Sequence, residues 1–219
     1  MGDPTSDYIF SIDPGIVNMG AACYNGVTSD ILFADKLTLA PSLKSLDNEA
    51  EIIPRVYKLF FDDINSPYKK MIDNSKIVLI ENQMRRKMII IQHVIGAICF
   101  EKNIKYEFVA PQCIKTYFNT GKKARANKGV VIKGKKKNHG ANKKMGISKA
   151  EELFPKYMAK LSVSKQDDVA DALLQALWYY ETGVDFIAKK ELTLSKKRER
   201  EKESRIVKKV TKKRKVSKK

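Results

Sequence analysis

Asp13, Glu81, Asp168 and Asp171 are the residues of this chain best placed to do chemistry. Asp13 closes the apolar run YIFSID, Glu81 closes KIVLIE, and the two aspartates lie three apart in SKQDDVADALLQALWYYE. A carboxylate at the end of a buried strand is costly unless it is paired or bound to a cation. Three apolar segments that each deliver carboxylates therefore imply a Mg²⁺ site, with Mn²⁺ as the substitute. Mg²⁺ takes octahedral oxygen coordination and keeps open positions for water and phosphate. Two such ions about 4 Å apart activate a water on one side of a scissile phosphate and stabilise the leaving oxygen on the other. The chain carries a net charge of +18, so the substrate implied is a phosphate polymer. The chemistry implied is phosphodiester hydrolysis.

Each acid also has a plainer reading. Asp13-Pro14-Gly15 is a turn sequence with Asp at its first position. Glu81 suits the start of a helix, where the macrodipole favours an anion. Ser164 and Asp167 have the S-x-x-D form of a capping box, which gives Asp167 a structural task. Asp168 and Asp171 then share one helical face, while Val169, Ala172, Leu173, Ala176 and Leu177 form the core stripe. Two carboxylates one turn apart repel by about 0.2–0.5 kcal/mol at a surface, and a cation reverses that sign. An acidic first turn accounts for Asp167 and Asp168 but not for Asp171. Taken together, the four acids favour the metal.

The positive charge is unevenly spread. Residues 189–219 carry 16 Lys and Arg against 4 Glu, and residues 119–150 carry 11 Lys and Arg with no acid. The rest of the chain is a slightly acidic body. Polybasic segments attract nucleic acid or anionic membranes, but neither segment has the large apolar face of a membrane-surface helix. No run of about 18 apolar residues is present to span a bilayer. Nucleic acid is the expected partner, and no membrane. Within 119–146, Lys122, Lys123, Arg125, Lys135, Lys136 and Lys137 are candidate DNA contacts of the sequence-tolerant, salt-dependent kind. The Gly, Lys and Asn composition of that stretch predicts a mobile basic loop. The tail 189–219 is expected to be disordered or partly helical. Its KKRKV string suits a nuclear localisation patch or general DNA affinity, and both remain open. Cys23, Cys99 and Cys113 form no CxxC pair and lie in apolar contexts, the pattern of free buried thiols. With two histidines in the chain a zinc site is not expected. The N-terminus lacks a signal-peptide core, so an intracellular setting is expected, not a secreted one.

A sheet must position these acids. Residues 8–13 read as a strand stopped by Asp-Pro-Gly. Segments 19–25 and 28–38 flank Asn25-Gly26, a hairpin signal because both residues accept φ > 0. The first three strands are thus expected as an antiparallel meander. Apolar spacing over 44–64 predicts a helix interrupted near Pro54. The continuous apolar run 76–80 predicts a strand buried on both faces. An apolar helix is expected over 88–102, a fifth strand over 106–110 and a short helix over 112–118. Two more helices are expected over 148–161 and 165–182. The helix over 88–102 is apolar nearly all round, which points to two-fold packing around Gly96 and Ala97 and so to a homodimer. His93 within it reads as a satisfied or interfacial residue. At 219 residues and 43% hydrophobic content, the chain supports one sizeable core, assigned to 1–188.

The order β-β-β-α-β-α-β-α-α around a central buried strand resembles a ribonuclease H-like α/β domain. Asp13-Pro14-Gly15 with Asn18, LIENQMRR at 79–86 and KQDDVADALLQA at 165–176 jointly resemble the motifs of Holliday junction resolvases. The likeness is to the poxvirus-type branch of the RuvC superfamily, which also includes fungal mitochondrial enzymes. It covers about 8–182 and leaves out the tail. The resemblance implies a five-stranded mixed sheet flanked by helices. It also implies a homodimeric, Mg²⁺-dependent endonuclease that makes paired nicks in four-way DNA junctions, in a nucleus or at a viral replication site. In that likeness Asp13, Glu81, Asp168 and Asp171 hold the metals, and Gln83, Arg85 and Arg86 contact DNA. A lysine ahead of the last helix pair, Lys143 or Lys144, assists at the phosphate. The alternatives are another ribonuclease H-like nuclease using the same acids (a ribonuclease H, flap nuclease or exonuclease) and a non-catalytic protein that binds junctions.

Overall fold

Ile9, Ser11 and Asp13 alternate with Phe10 and Ile12 along β1 (Tyr8–Asp13), so each face of this strand meets a different layer. The computed structural model describes residues 7–42, 44–46, 48–62, 66–120 and 135–183, with backbone alone for Lys44 and 135–142. It places β1 at the centre of a five-stranded sheet of order β3-β2-β1-β4-β5. On one side, β2 (Met19–Asn25) and β3 (Asp30–Leu37) continue the sheet antiparallel. On the other, β4 (Ile77–Glu81) and β5 (Tyr106–Val109) run parallel to β1. The meander and the mixed sheet are as the sequence predicts.

Phe10, Ile12, Ala21, Cys23, Val78 and Ile80 face a core completed by α1 (Ile52–Phe60) and α3 (Arg86–Glu101). Lesser helices are α2 (Lys69–Asp73), α4 (Pro111–Tyr117), α5 (Lys135–Leu153) and α6 (Pro155–Met158). A helix over 163–183, α7, lies against the opposite face, with Asp168 and Ala172 on Gly20 of β2. The described residues up to Tyr180 belong to one compact unit. Among the described residues no helix is long and apolar enough to cross a membrane.

Several local expectations are corrected. Pro54 does not interrupt a helix; it stands in the first turn of α1, where its missing N–H has no helical acceptor to lose. Pro155 does break one: α5 ends at Leu153 and α6 starts at Pro155. Asn25-Gly26 does open the expected hairpin between β2 and β3, but through a longer loop than the pair itself. Residues 26–29 form the loop, Asn25 Oδ1 accepts the N–H of Val27 at 2.9 Å and of Thr28 at 3.0 Å, and Ser29 takes φ 59°. Gly26 is needed instead for space, since a Cβ there would lie 1.8 Å from the Tyr180 ring.

The basic stretch 119–146 divides. Asn119 and Thr120 follow α4, 121–134 lies outside the described residues, and the chain is helical from Lys135 rather than from about Ser148. Lys and Ala are good helix formers, and apolar periodicity cannot detect a helix turn that lacks an apolar stripe. Lys122, Lys123, Arg125 and the tail 189–219 lie outside the described residues. Lys135, Lys136 and Lys137 occupy the first turn of α5.

Candidate active site

β1 and β4 are parallel neighbours with Ile12 opposite Ile80, so Asp13 and Glu81 emerge side by side at the carboxyl ends of adjacent strands. Gln83 joins them: its Nε2 donates to Asp13 Oδ1 at 2.8 Å and to Glu81 Oε1 at 3.3 Å. The Asp-Pro-Gly turn folds so tightly that a Cβ at Gly15 would lie 1.7 Å from the Asn18 carbonyl oxygen. That tight return sets Gly20 of β2 directly opposite Asp13.

Gly20 is what lets the third segment reach the rim. A Cβ at this position would lie 2.0 Å from the Asp168 carbonyl oxygen, so α7 rests on bare backbone beside Asp13. Lys36 continues the rung opposite Gly20 and donates to the Ser164 carbonyl at 3.1 Å, while Lys165 pairs with Asp35 at 2.7 Å. These contacts clamp the first turn of α7 to β3. Gly20→Ala is therefore expected to push α7 off the sheet. We expect a loss of about 1–3 kcal/mol in thermal or urea denaturation, the range of core overpacking, together with weaker divalent-ion binding.

The acids crowd one another. Burial first, then the charges of Glu81, Asp171 and Asp168, raise the Asp13 carboxyl well above its usual value. Burial and the Asp171 charge lift Glu81 to about 7, and burial with neighbouring Asp167 lifts Asp168 to about 6. Lys115 on α4 acts the other way on both Asp13 and Glu81. Sequence reading missed it, because nothing in the local pattern of PQCIKTY sets it apart from a solvated lysine. On the far side, Gly146 of α5 approaches Asp171, a Cβ there standing 3.5 Å from Asp171 Oδ1.

Asp167 does not cap α7. The helix starts at 163, and Asp167 pairs instead with Lys143 of α5. Burial opposes its ionisation, but that ion pair holds the carboxyl below its usual value. Lys143 is thus tied beside Asp168 and Asp171, whose charges also favour its protonated form. Lys144 is exposed.

As they stand, no three His, Cys, Asp or Glu side chains among the described residues are gathered tightly enough to hold one ion. Unneutralised carboxylates repel, which favours such spacing. The donor set nevertheless fits a hard divalent cation. Asp168 Oδ2 is buried with no hydrogen-bond partner, and an orphaned carboxylate oxygen among three further acids is a group in want of a cation.

The sheet order and the helix layers can be compared with solved structures. The chain is similar to T. thermophilus RuvC in complex with a Holliday junction substrate, at 16% identity over 80% of this chain and 96% of that chain, with a TM-score of 0.50. It is also similar to the yeast mitochondrial Holliday junction resolvase Ydc2, at 14% identity over 80% of this chain and 79% of that one, again with a TM-score of 0.50. The fold is ribonuclease H-like. No family model matches the chain, and no curated protein sequence does so significantly.

Arg85 is exposed at the N-cap of α3, and Arg86, 83% exposed, pairs with Glu49 at 2.9 Å. Gln83 is turned onto the acids rather than outward. His93 is exposed, donates from Nδ1 to the Ile89 carbonyl and packs on the Phe108 ring, away from the acidic rim. Gly96 is covered by the Tyr106 and Phe108 rings, so the expected two-fold contact around it is not available there. Ala97 and Phe100, the latter 75% exposed, remain on the open side of α3. Cys23 and Cys99 are buried and Cys113 half-buried.

Proposed function

We propose that this chain is a divalent-metal-dependent endonuclease that resolves four-way DNA junctions, related to the poxvirus-type branch of the resolvases. The observation that carries the reading is the meeting of Asp13, Glu81, Asp168 and Asp171 at one sheet rim, with an unpartnered Asp168 oxygen, in a strongly basic chain. Similarity of fold to two junction resolvases adds to it.

Asp13, Glu81, Asp168 and Asp171 would hold Mg²⁺ or Mn²⁺, which would supply Lewis acidity and a water poised for attack. The rest falls to the chain's own side chains. Lys115 offsets the negative charge of Asp13 and Glu81, which would otherwise repel a phosphate diester. Arg85 and Arg86 follow the acidic rim directly and suit bidentate phosphate contact. Lys143, held by Asp167, presents a second ammonium on the α7 side. Two copies packed through the open side of α3, at Ala97 and Phe100, would present two such rims to the two symmetric strands of a junction.

The test is cleavage of a mobile four-way junction resolved on a gel, in Mg²⁺ and in Mn²⁺. Paired symmetric nicks with plain duplex and RNA–DNA hybrid spared are expected. Preferential degradation of the hybrid would replace this reading with that of a ribonuclease H. Tight junction binding without any cut would leave an architectural protein.

A further inference from the structure

Gln92 is a polar residue within the buried stripe of α3, between Ile91 and Ile95, and only 3% exposed. An amide in an apolar core is unfavourable unless both its ends are bonded. Here they are. Its Oε1 accepts the backbone N–H of Gln83 at 2.6 Å, and its Nε2 donates to Asn82 Oδ1 at 3.3 Å.

These bonds fall where the sheet stops. Asn82 N–H donates to the Val109 carbonyl at 2.8 Å and ends the ladder between β4 and β5. One residue on, Gln83 has left the sheet, and the α3 N-cap Arg85 makes no side-chain capping bond. The backbone of Gln83 is therefore held from below by a side chain of α3. Its own side chain crosslinks Asp13 and Glu81. A chain of contacts thus runs from the core of α3 through Gln92 and Gln83 to two carboxylates on different strands.

We propose that Gln92 is a positioning residue of the site. It fixes the 82–83 segment so that the Gln83 amide holds Asp13 and Glu81 together before a cation arrives. The inference deepens the nuclease reading and rests on it. Gln83 serves as a neutral stand-in for positive charge: its N–H groups draw together two carboxylates that otherwise repel, and being uncharged they compete only weakly with a divalent ion. Partners of this kind behind metal-binding side chains set both affinity and rate.

Gln92→Met keeps the length and burial of the side chain and removes both bonds. Gln92→Glu, which stays neutral when buried, restores both, through its carbonyl oxygen and its O–H. Hydrogen exchange of the Gln83 backbone N–H is followed by NMR in metal-free protein, with Ile80 of β4 as the check that the fold persists. Mn²⁺ affinity is measured by calorimetry and junction cleavage under single-turnover conditions. In Gln92→Met, exchange at Gln83 is expected to accelerate while Ile80 stays protected. Mn²⁺ affinity and cleavage rate fall about 10–100-fold, junction Kd is unchanged, and Gln92→Glu recovers most of the loss. A Gln92→Met variant with unchanged Gln83 exchange, or with wild-type Mn²⁺ affinity and rate, overturns the role of Gln92. Wild-type protein that neither binds Mn²⁺ nor cuts defeats the nuclease reading itself, and this inference with it.

Discussion

Asp171→Asn is expected to leave junction binding within about twofold of wild type and to lower cleavage by about 10³-fold, the equivalent of several kcal/mol of transition-state stabilisation. Asn keeps the shape of the side chain, and α7 keeps its apolar stripe of Val169, Ala172, Leu173 and Ala176 in the core. The fold has no reason to change. What changes is charge: Asp171 faces Asp13 and Glu81 closely enough to raise both. On the proposed reading, removing that charge would weaken the hold on a cation and slightly favour a polyanion nearby, so binding and cleavage would separate. Gel shifts in Ca²⁺ and single-turnover cleavage in Mg²⁺ measure the two. Cleavage at the wild-type rate would remove Asp171 from the metal site, and a parallel loss of binding would make its role structural.

In metal-free protein, Glu81→Gln is expected to raise stability at pH 8 by on the order of 3 kcal/mol, roughly 6–12 °C in Tm. Glu81 has an ordinary value of 4.5 and is raised to about 7 in the fold, by burial first and by Asp171 second. A carboxyl with a raised folded-state value binds its proton more tightly in the native state than in the unfolded one. Its stability contribution is whole below about 4.5 and drains away as pH rises through about 7. Native protein without metal should therefore weaken steadily across that window, and the Gln variant should weaken less. At pH 4.5 the two should melt alike. Mn²⁺ at pH 8 should stabilise wild type by mass action and the variant much less. A wild-type Tm that is flat from pH 5 to pH 8 without metal would mean that neither burial nor the other acids raise this carboxyl.

The two expectations have one origin. A cluster of acids opposes folding while unneutralised, so on the proposed reading its removal should stabilise the protein as it disables the site. Gly20 belongs to the same arrangement, since a side chain there would relieve the crowding only by displacing α7 from β2.

Periods of two and of 3.6 residues are local properties, so the five strands, the apolar helix after β4 and the acids at strand ends could all be read from the chain directly. Asp13 and Glu81 were visible because each closes a mainly apolar run, and Asp171 because no helix-end explanation covers it. Contacts between segments distant in sequence were not visible. That Gln83 bridges two strand ends depends on β1 and β4 lying side by side, although 70 residues separate Gln83 from Asp13. Lys115 reaches the same rim from α4 and Gln92 from the core of α3, by packing that no spacing rule encodes. Asp167 reads as a capping residue along the chain, but the helix starts four residues earlier and the carboxylate is left to pair with Lys143 on α5. Gly26 carried the right turn signal for the wrong reason, because only the packed helix brings Tyr180 onto it. Pattern along the chain determined which elements form and which faces they bury. The tertiary structure alone decided which polar groups meet, because a buried hydrogen bond or ion pair is chosen by whatever partner the packing brings within reach.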